Sequence, residues 1–451
     1  MRGLKFLVPC LAGLGILFFF IGTVLAVDGS DGGRTPQDPS GPNPGGLSLA
    51  EVLVRVLEKN PELGVAAGEI EALQGRIRQA GLRPNPSLDT LVENVAGTGE
   101  MGWIHSAETT IQVQIPLERA SKRRTRVQSA VWEKDLAVKE SEVLRAEVVA
   151  GAVGAFAEVL ACQERRKNRK ELLELAERID QTVTGRVSAG KVSPIEAYRS
   201  QVTLQTARLE KEKADQALVS ARQYLSSFWM GSGAEIPNVL GSFRLPPAAV
   251  VQNNGGSGIH GNPQWEMADV RIEAQKGAIA LETAAARPDP VLTAGFRRLT
   301  PLGESALVAG VSFPLPFFDR RQGAIAEARS RVEKARREKT ALENRLTTIL
   351  RLRQESAGST FREAAALRDQ ILPQAEEALL RLQEGYRQGK FDFLPVLDAQ
   401  RTYAELKGRY VDVIEAAMKA AIEIQKLNGS IMTPGSLSYL DPEKKENHEN
   451  Q

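Results

Sequence analysis

GYRQGKFDFLPVLDAQR, residues 385–401, repeats in outline an earlier stretch of the chain, GRVSAGKVSPIEAYRSQ, residues 185–201. Superposing Gly190 on Gly389 also aligns Lys191 with Lys390, Ile195 with Leu394 and Gln201 with Gln400. Each copy closes one very long helical pattern and opens another. A chain that builds the same glycine-lysine turn twice has been duplicated, and the rest of the sequence can be read against that duplication.

Asn60-Pro61 opens a helical segment ending in GLRPNPSL (81–88), and Asn262-Pro263 opens a second ending in AARPDPVL (285–292). A strand-like pair follows in each half. TTIQVQIPL (109–117) sets Thr109, Ile111, Val113, Ile115 and Leu117 on one face and Thr110, Gln112 and Gln114 on the other. SALVAGVSFPL (305–315) alternates in the same way through Leu307, Ala309, Val311 and Phe313. A period of two is the signature of a strand, and Pro116 and Pro314 mark where a ladder can no longer continue. PSLDTLVENVAG (86–97) and DPVLTAGFRRLT (289–300) are placed to complete two hairpins.

From about Arg119 to Arg186, and from about Gly323 to Arg387, the sequence is rich in Ala, Glu, Leu, Arg and Lys. At 1.5 Å per residue each run reaches on the order of 100 Å. Pro373 is the only proline in either run and is predicted to kink or break the second. After the glycine-lysine turns, helices over about 194–229 and 393–428 run back. AEVVAGAVGAFAEVLACQ (146–163) is small and apolar almost throughout, which suits close antiparallel helix packing.

The chain of 451 residues is 42% apolar and 25% charged, as folded proteins are. Arg2 and Lys5 precede the apolar run FLVPCLAGLGILFFFIGTVLA, which ends at Val24 and Ala26 in signal-peptidase spacing, so residues 1–26 read as a cleaved signal peptide. A retained N-terminal anchor is the alternative. The Pro/Gly-rich stretch 27–46 reads as a disordered leader. Removing 1–26 takes two basic residues and no acids, so the formal charge falls from +2 to zero and gives no reason to expect nucleic acid. Cys162 is then the only cysteine, which excludes an intramolecular disulfide. The duplicated parts are residues 47–240, with a hairpin at about 86–117 and a tip at about 186–194, and residues 262–430, with a hairpin at about 289–316 and a tip at about 386–393. A Gly-rich linker (241–261) joins them, and a charged tail (431–451) follows.

Four strands of about ten residues are long enough to cross an outer membrane and too few to close a barrel. Open strand edges cannot face lipid, so such strands imply self-association, and three chains supply twelve. Trp103, Phe317 and Phe318 are placed as membrane-interface anchors, with RASKRRTR (119–126) and Arg320-Arg321 at the strand-to-helix transition.

The duplicated order of helix, hairpin, long helix, glycine-lysine turn and helix resembles the TolC-like outer-membrane efflux protein family over about residues 47–430. NPELGVAAGEIEALQGRIRQAGLRPNPSL, QVQIPLERASKRRTRV, VSFPLPFFDRRQGAIAEA and YRQGKFDFLPVLDAQRTY carry the resemblance. The last two are most similar to the branch serving cobalt-zinc-cadmium-type heavy-metal pumps, although QIPLERASKRR lacks that branch's glycine pair. The resemblance implies a mainly α, internally duplicated fold with a β membrane part. It implies a homotrimer in which four strands per chain build a 12-stranded β-barrel in outer-membrane lipid, above a periplasmic helical barrel. It also implies that the tips at Gly190, Lys191, Gly389 and Lys390 meet a periplasmic adaptor and an inner-membrane resistance-nodulation-division-type pump. By position Asp398 corresponds to an aspartate of the family's pore gate. A second acidic position falls on Pro395, so that ring is either missing or replaced by Asp392. The plainer reading of Asp398 is an ion pair with Arg401 or with an adjacent helix.

No enzyme chemistry emerges. GSGIHG (256–261) matches G-x-G-x-x-G but lies in the Gly-rich linker rather than between a strand and a helix. His105, His260 and His448 are scattered, and no cofactor or metal cage is predicted. The sequence thus points to a passive outer-membrane duct. The alternatives are a periplasmic adaptor, which would need flanking β-rich halves, and a membrane-anchored coiled-coil structural protein.

Overall fold

The computed structural model describes residues 46–99, 106–236, 238–251, 258–433 and 435–440. The expected signal peptide, the leader up to residue 45, Trp103, His105, His448 and the tail from residue 441 lie outside the described residues.

The first repeat runs β1 (Leu47–Ser48), α1 (Leu49–Lys59), α2 (Pro61–Ala80), β2 (Ser87–Glu93), β3 (Glu108–Pro116), α3 (Ala120–Ser188), α4 (Pro194–Ser227) and β4 (Val239–Leu240). After a helical turn, α5 (Ala248–Val251), the second runs α6 (Pro263–Ala285), β5 (Val291–Leu299), β6 (Glu304–Ser312), α7 (Gln322–Ala366), α8 (Leu372–Arg387) and α9 (Phe393–Leu427). β1 pairs in parallel with β4, joining the two ends of the first repeat.

The repeated Asn-Pro pairs have a structural reason. Asn60 and Asn262 cap α2 and α6 through their side-chain oxygens, ahead of a proline whose missing N–H costs nothing at that position. Each asparagine also donates its side-chain amide across the fold, Asn60 to the Phe228 carbonyl at 2.9 Å and Asn262 to the Leu427 carbonyl at 3.0 Å. Both are buried, so a single side chain starts one helix and fixes the end of another in each copy.

α3 spans 69 residues without interruption. Its apolar stretch is buried on several sides because α1, α4 and α9 pack around it: Val153 and Phe156 meet Leu225, Ile414 and Met418 in the main core. Each such side chain contributes about 1.5–3 kcal/mol through its burial. Beside this core the α3–α9 seam is held by charge, with Arg165 on Asp412 at 2.7 Å, Lys407 on Glu171 at 2.7 Å and Lys419 on Glu158 at 3.5 Å. Glu415 is buried. Burial works to raise its carboxyl pKa, but hydrogen bonds from Lys419 and Arg165 overcome this and hold it below the ordinary 4.5. A carboxylate lowered by folding adds stability above its unfolded pKa, and that stability is lost as pH falls through the lowered value. The thermal midpoint is therefore expected to be level above about pH 5 and to drop below it. A Glu415→Gln variant should start lower and show a smaller drop, as followed by circular dichroism.

The second long run stays helical past Pro373. Leu367–Ile371 form a π turn directly before it, and α8 begins at Leu372. The proline has no N–H to offer the preceding turn, and the wider turn absorbs that defect in place of a chain break.

The four longer strands form one sheet in the order β2-β3-β5-β6, antiparallel throughout. The register aligns Leu88, Val113, Ala294 and Ala309 in one row and Thr90, Ile111, Phe296 and Leu307 in the next. That face is exposed; Leu307 is 88% accessible. The opposite face carries Ser87, Asp89, Gln112, Gln114 and Thr293. On it Arg297 donates to Thr110 at 3.0 Å and pairs with Glu108 at 3.2 Å and Glu93 at 3.5 Å. The sheet has one apolar and one polar face, and among the described residues its β2 and β6 edges are unpaired.

Candidate functional site

The tips are where the duplicated copies meet. α3 and α8 both end in the same cap. In the first, Gly190 (φ +69) donates to the Val187 carbonyl and Lys191 to that of Arg186, each at 2.9 Å. In the second, Gly389 (φ +77) donates to Tyr386 at 2.9 Å and Lys390 to Gly385 at 2.8 Å. The left-handed glycine allows both bonds, and this explains the repeated glycine-lysine pair. All four turn residues are exposed.

Between the caps, Ile179, Val183, Tyr386, Phe393 and Val396 form a small separate core. Tyr386 is its centre. Its hydroxyl donates to Glu196 at 2.8 Å. The Arg186 guanidinium stacks on its ring at 4.4 Å and donates to its backbone carbonyl. Arg186 and Glu196 belong to the first tip and Tyr386 to the second, so three residues clasp the two hairpins together. Burial first, and then the bond to Glu196, push the phenol far above its ordinary value, so it stays a hydrogen-bond donor. Gly385 makes room for the Phe391 ring, which a Cβ there would strike. Costs remain in and beside the clasp: among the described residues Arg186 Nε, and nearby Gln383 Nε2 and Gln400 Oε1, are buried without a hydrogen-bond partner. Each such group costs about 1–3 kcal/mol.

The clasp escapes a motif search because its members lie about two hundred residues apart, yet one signal in the sequence marks them. With Gly190 on Gly389, Arg186 aligns with Gly385, Val187 with Tyr386, and Glu196 with Pro395. The clasp occupies positions at which the copies differ in chemistry.

Asp398 and Asp392 are both exposed. Asp392 is the N-cap of α9 but makes no side-chain cap bond, whereas the equivalent Ser193 caps α4. Arg401 pairs with Glu405 at 2.8 Å rather than with Asp398, and Asp398 has no ion pair or hydrogen bond from its side chain among the described residues. Above the tips a groove of about 620 Å³ runs between α4 and α9, floored by Leu172 and Gln400 and walled by Val202, Thr206, Leu397 and Ala404.

Phe317 and Phe318 follow β6 and are 69% and 94% exposed. His260 lies in a turn and accepts from the Trp265 indole. Among the described residues no group of three or more His, Cys, Asp or Glu is placed to hold a metal ion. No described helix is long and apolar enough to cross a membrane.

Comparison with known proteins agrees with this geometry. The family described as "Outer membrane efflux protein" matches residues 52–229 and 259–430. The chain is 30% identical over 421 residues to the cobalt-zinc-cadmium resistance protein CzcC of Cupriavidus metallidurans, covering 92% of this chain and 98% of that one. It is 26% identical over 284 residues to the nickel-cobalt-cadmium resistance protein NccC of Alcaligenes xylosoxydans xylosoxydans, covering 63% and 64%. Among solved structures, the outer membrane protein VceC of Vibrio cholerae superposes with a TM-score of 0.68 at 18% identity, over 84% of this chain and 96% of that one.

Proposed function

Since the chain belongs to the outer membrane efflux protein family, we propose that three copies of it form a passive duct for export. The chain is an outer-membrane channel component of an efflux system, with a large periplasmic helical part. The observation that carries the reading is the sheet: apolar outward, polar inward and open at both edges. Lipid tolerates no open edge, so β2 of one copy meets β6 of the next, and three copies close twelve strands.

The helices support the same closure. Ile195, Tyr198, Val202, Leu209 and Val219 of α4 are all more than half exposed. They stand 3, 4, 7 and 10 residues apart, spacings that keep them on one side of the helix, which is an apolar seam lacking its partner helix. A second copy's α7–α8 edge supplies that partner.

The tips at Gly190-Lys191 and Gly389-Lys390, with the groove beside them, are the contact for a periplasmic adaptor linked to an inner-membrane resistance-nodulation-division-type pump. Transport energy comes from that pump. The Arg186–Tyr386–Glu196 clasp holds the tips closed, and the unpartnered Arg186 Nε makes the closed state only moderately favourable. In the trimer Asp398 supplies three carboxylates that attract cations, with Asp392 beside the turn. Heavy-metal cations are the proposed cargo, on the likeness to CzcC and NccC. Selection among them falls to the pump and adaptor.

Detergent-extracted protein should come from the outer-membrane fraction as a trimer that dissociates on heating. Recovery as a soluble periplasmic monomer contradicts the duct. Deleting the gene should lower tolerance to zinc, cobalt or cadmium; unchanged metal tolerance with lowered drug tolerance would redirect the cargo assignment.

A further inference from the structure

The segments carrying strands into helices (81–87, 116–126, 286–291 and 312–323) all lie at the end of the sheet away from the hairpin connections. Arg83, Arg119, Arg123, Arg124 and Arg287 sit there, and none of these side chains has a hydrogen-bond or ion-pair partner among the described residues. The acids of the same segments are already engaged. Asp289 takes Lys122 at 2.7 Å, Glu118 takes Arg126, and Asp319 accepts the Arg321 backbone N–H at 2.8 Å. No help comes from the helices starting at this level, since α3 and α7 have neither a side-chain cap nor an acid in the first turn. The far end of the sheet is different: Arg297 is held between Glu93 and Glu108.

The same connecting segments carry exposed apolar side chains. Leu82, Leu117, Leu315 and Phe317 are 58%, 46%, 69% and 69% accessible. They continue the apolar face of the strands toward the helices. An apolar band edged by unpaired arginines has the order of an acyl-chain boundary followed by phosphate headgroups. The arginine fork can hold two phosphate oxygens at once. We propose that this belt binds the headgroup phosphates of anionic phospholipid in the periplasmic leaflet of the outer membrane, and so fixes the depth of the barrel. The proposal rests on the reading that the β2–β6 sheet lies in the bilayer. Basic residues at a membrane surface each add to the attraction for anionic lipid, and the attraction weakens with salt.

The test uses the full-length trimer in detergent supplied with equal phosphatidylglycerol and phosphatidylcholine, and counts retained lipids by native mass spectrometry. The wild type should retain phosphatidylglycerol in roughly tenfold or greater preference. A variant carrying Arg83→Gln, Arg123→Gln, Arg124→Gln and Arg287→Gln should lose that preference. The matching lysine variant should fall between them, because it keeps charge and loses the fork. Excess inorganic phosphate should not displace the lipid. Equal phosphatidylglycerol retention by wild type and glutamine variant, or displacement by phosphate, overturns the belt. Both proteins should insert into phosphatidylcholine vesicles. Failure of the wild type to insert overturns the reading of the sheet itself, whereas insertion without the lipid preference overturns the belt alone.

Discussion

Replacing Val113 by arginine is expected to keep the protein out of the membrane. Val113 lies midway along β3, in the outward row with Leu88, Ala294 and Ala309. A basic side chain at the bilayer midplane costs about 2–4 kcal/mol in a barrel. In a trimer that cost arises three times, roughly 6–12 kcal/mol, comparable with the whole stability of a domain. The heat-dissociable trimer should vanish from the outer-membrane fraction. Gln114→Lys, one position along and on the opposite face beside Ser87 and Thr293, should assemble normally because its side chain meets water in the pore. Equal assembly of the two variants would mean that the faces have been assigned wrongly.

The second large effect is expected at the tips. Tyr386→Phe keeps the ring in its core with Phe393 and Val396 and removes only the donor to Glu196. Hydrogen bonds to charged partners contribute about 1.5–3 kcal/mol, which shifts a closed-to-open ratio by roughly 10- to 150-fold per clasp. Conductance through a trimer in a planar bilayer should rise by at least about tenfold if the clasp keeps the tips shut. Arg186→Ala should act in the same direction, since it frees the Tyr386 carbonyl and ring. A wild-type conductance in both variants would remove the clasp from the gate and leave it a static tie.

Much of this was legible in the sequence, and the reasons are local. The period-two alternation in TTIQVQIPL predicted the face on which Ile111, Val113 and Ile115 stand. Because the strands carry a polar face as well, alternation survived where a fully buried strand would have shown only a run. The glycine-lysine turns were legible because a left-handed cap demands glycine, and the Asn-Pro helix starts because capping is also a local demand. What local reading could not supply was pairing between copies. Tyr386 reads as an ordinary helical aromatic until Arg186 and Glu196 arrive from the other hairpin. The π turn before Pro373 was hidden for a related reason. A proline signals a lost hydrogen bond, but packing of the neighbouring helix decides whether the chain breaks or widens. Asp398 was singled out by position; Arg401 makes its ion pair with Glu405, while the Asp398 charge still acts on Arg401 from nearby.

The central claim is a passive, cation-attracting duct, and a single recording tests it. Purified trimer, carrying Tyr386→Phe so that the tips are open, is inserted in a planar bilayer with a salt gradient, beside the same protein with Asp398→Asn added. The duct reading predicts stable ohmic steps without any energy source, a cation-selective reversal potential, and a severalfold loss of that selectivity once the Asp398 carboxylate is replaced. Correctly assembled trimers that conduct nothing, or that prefer anions equally in both forms, would contradict it.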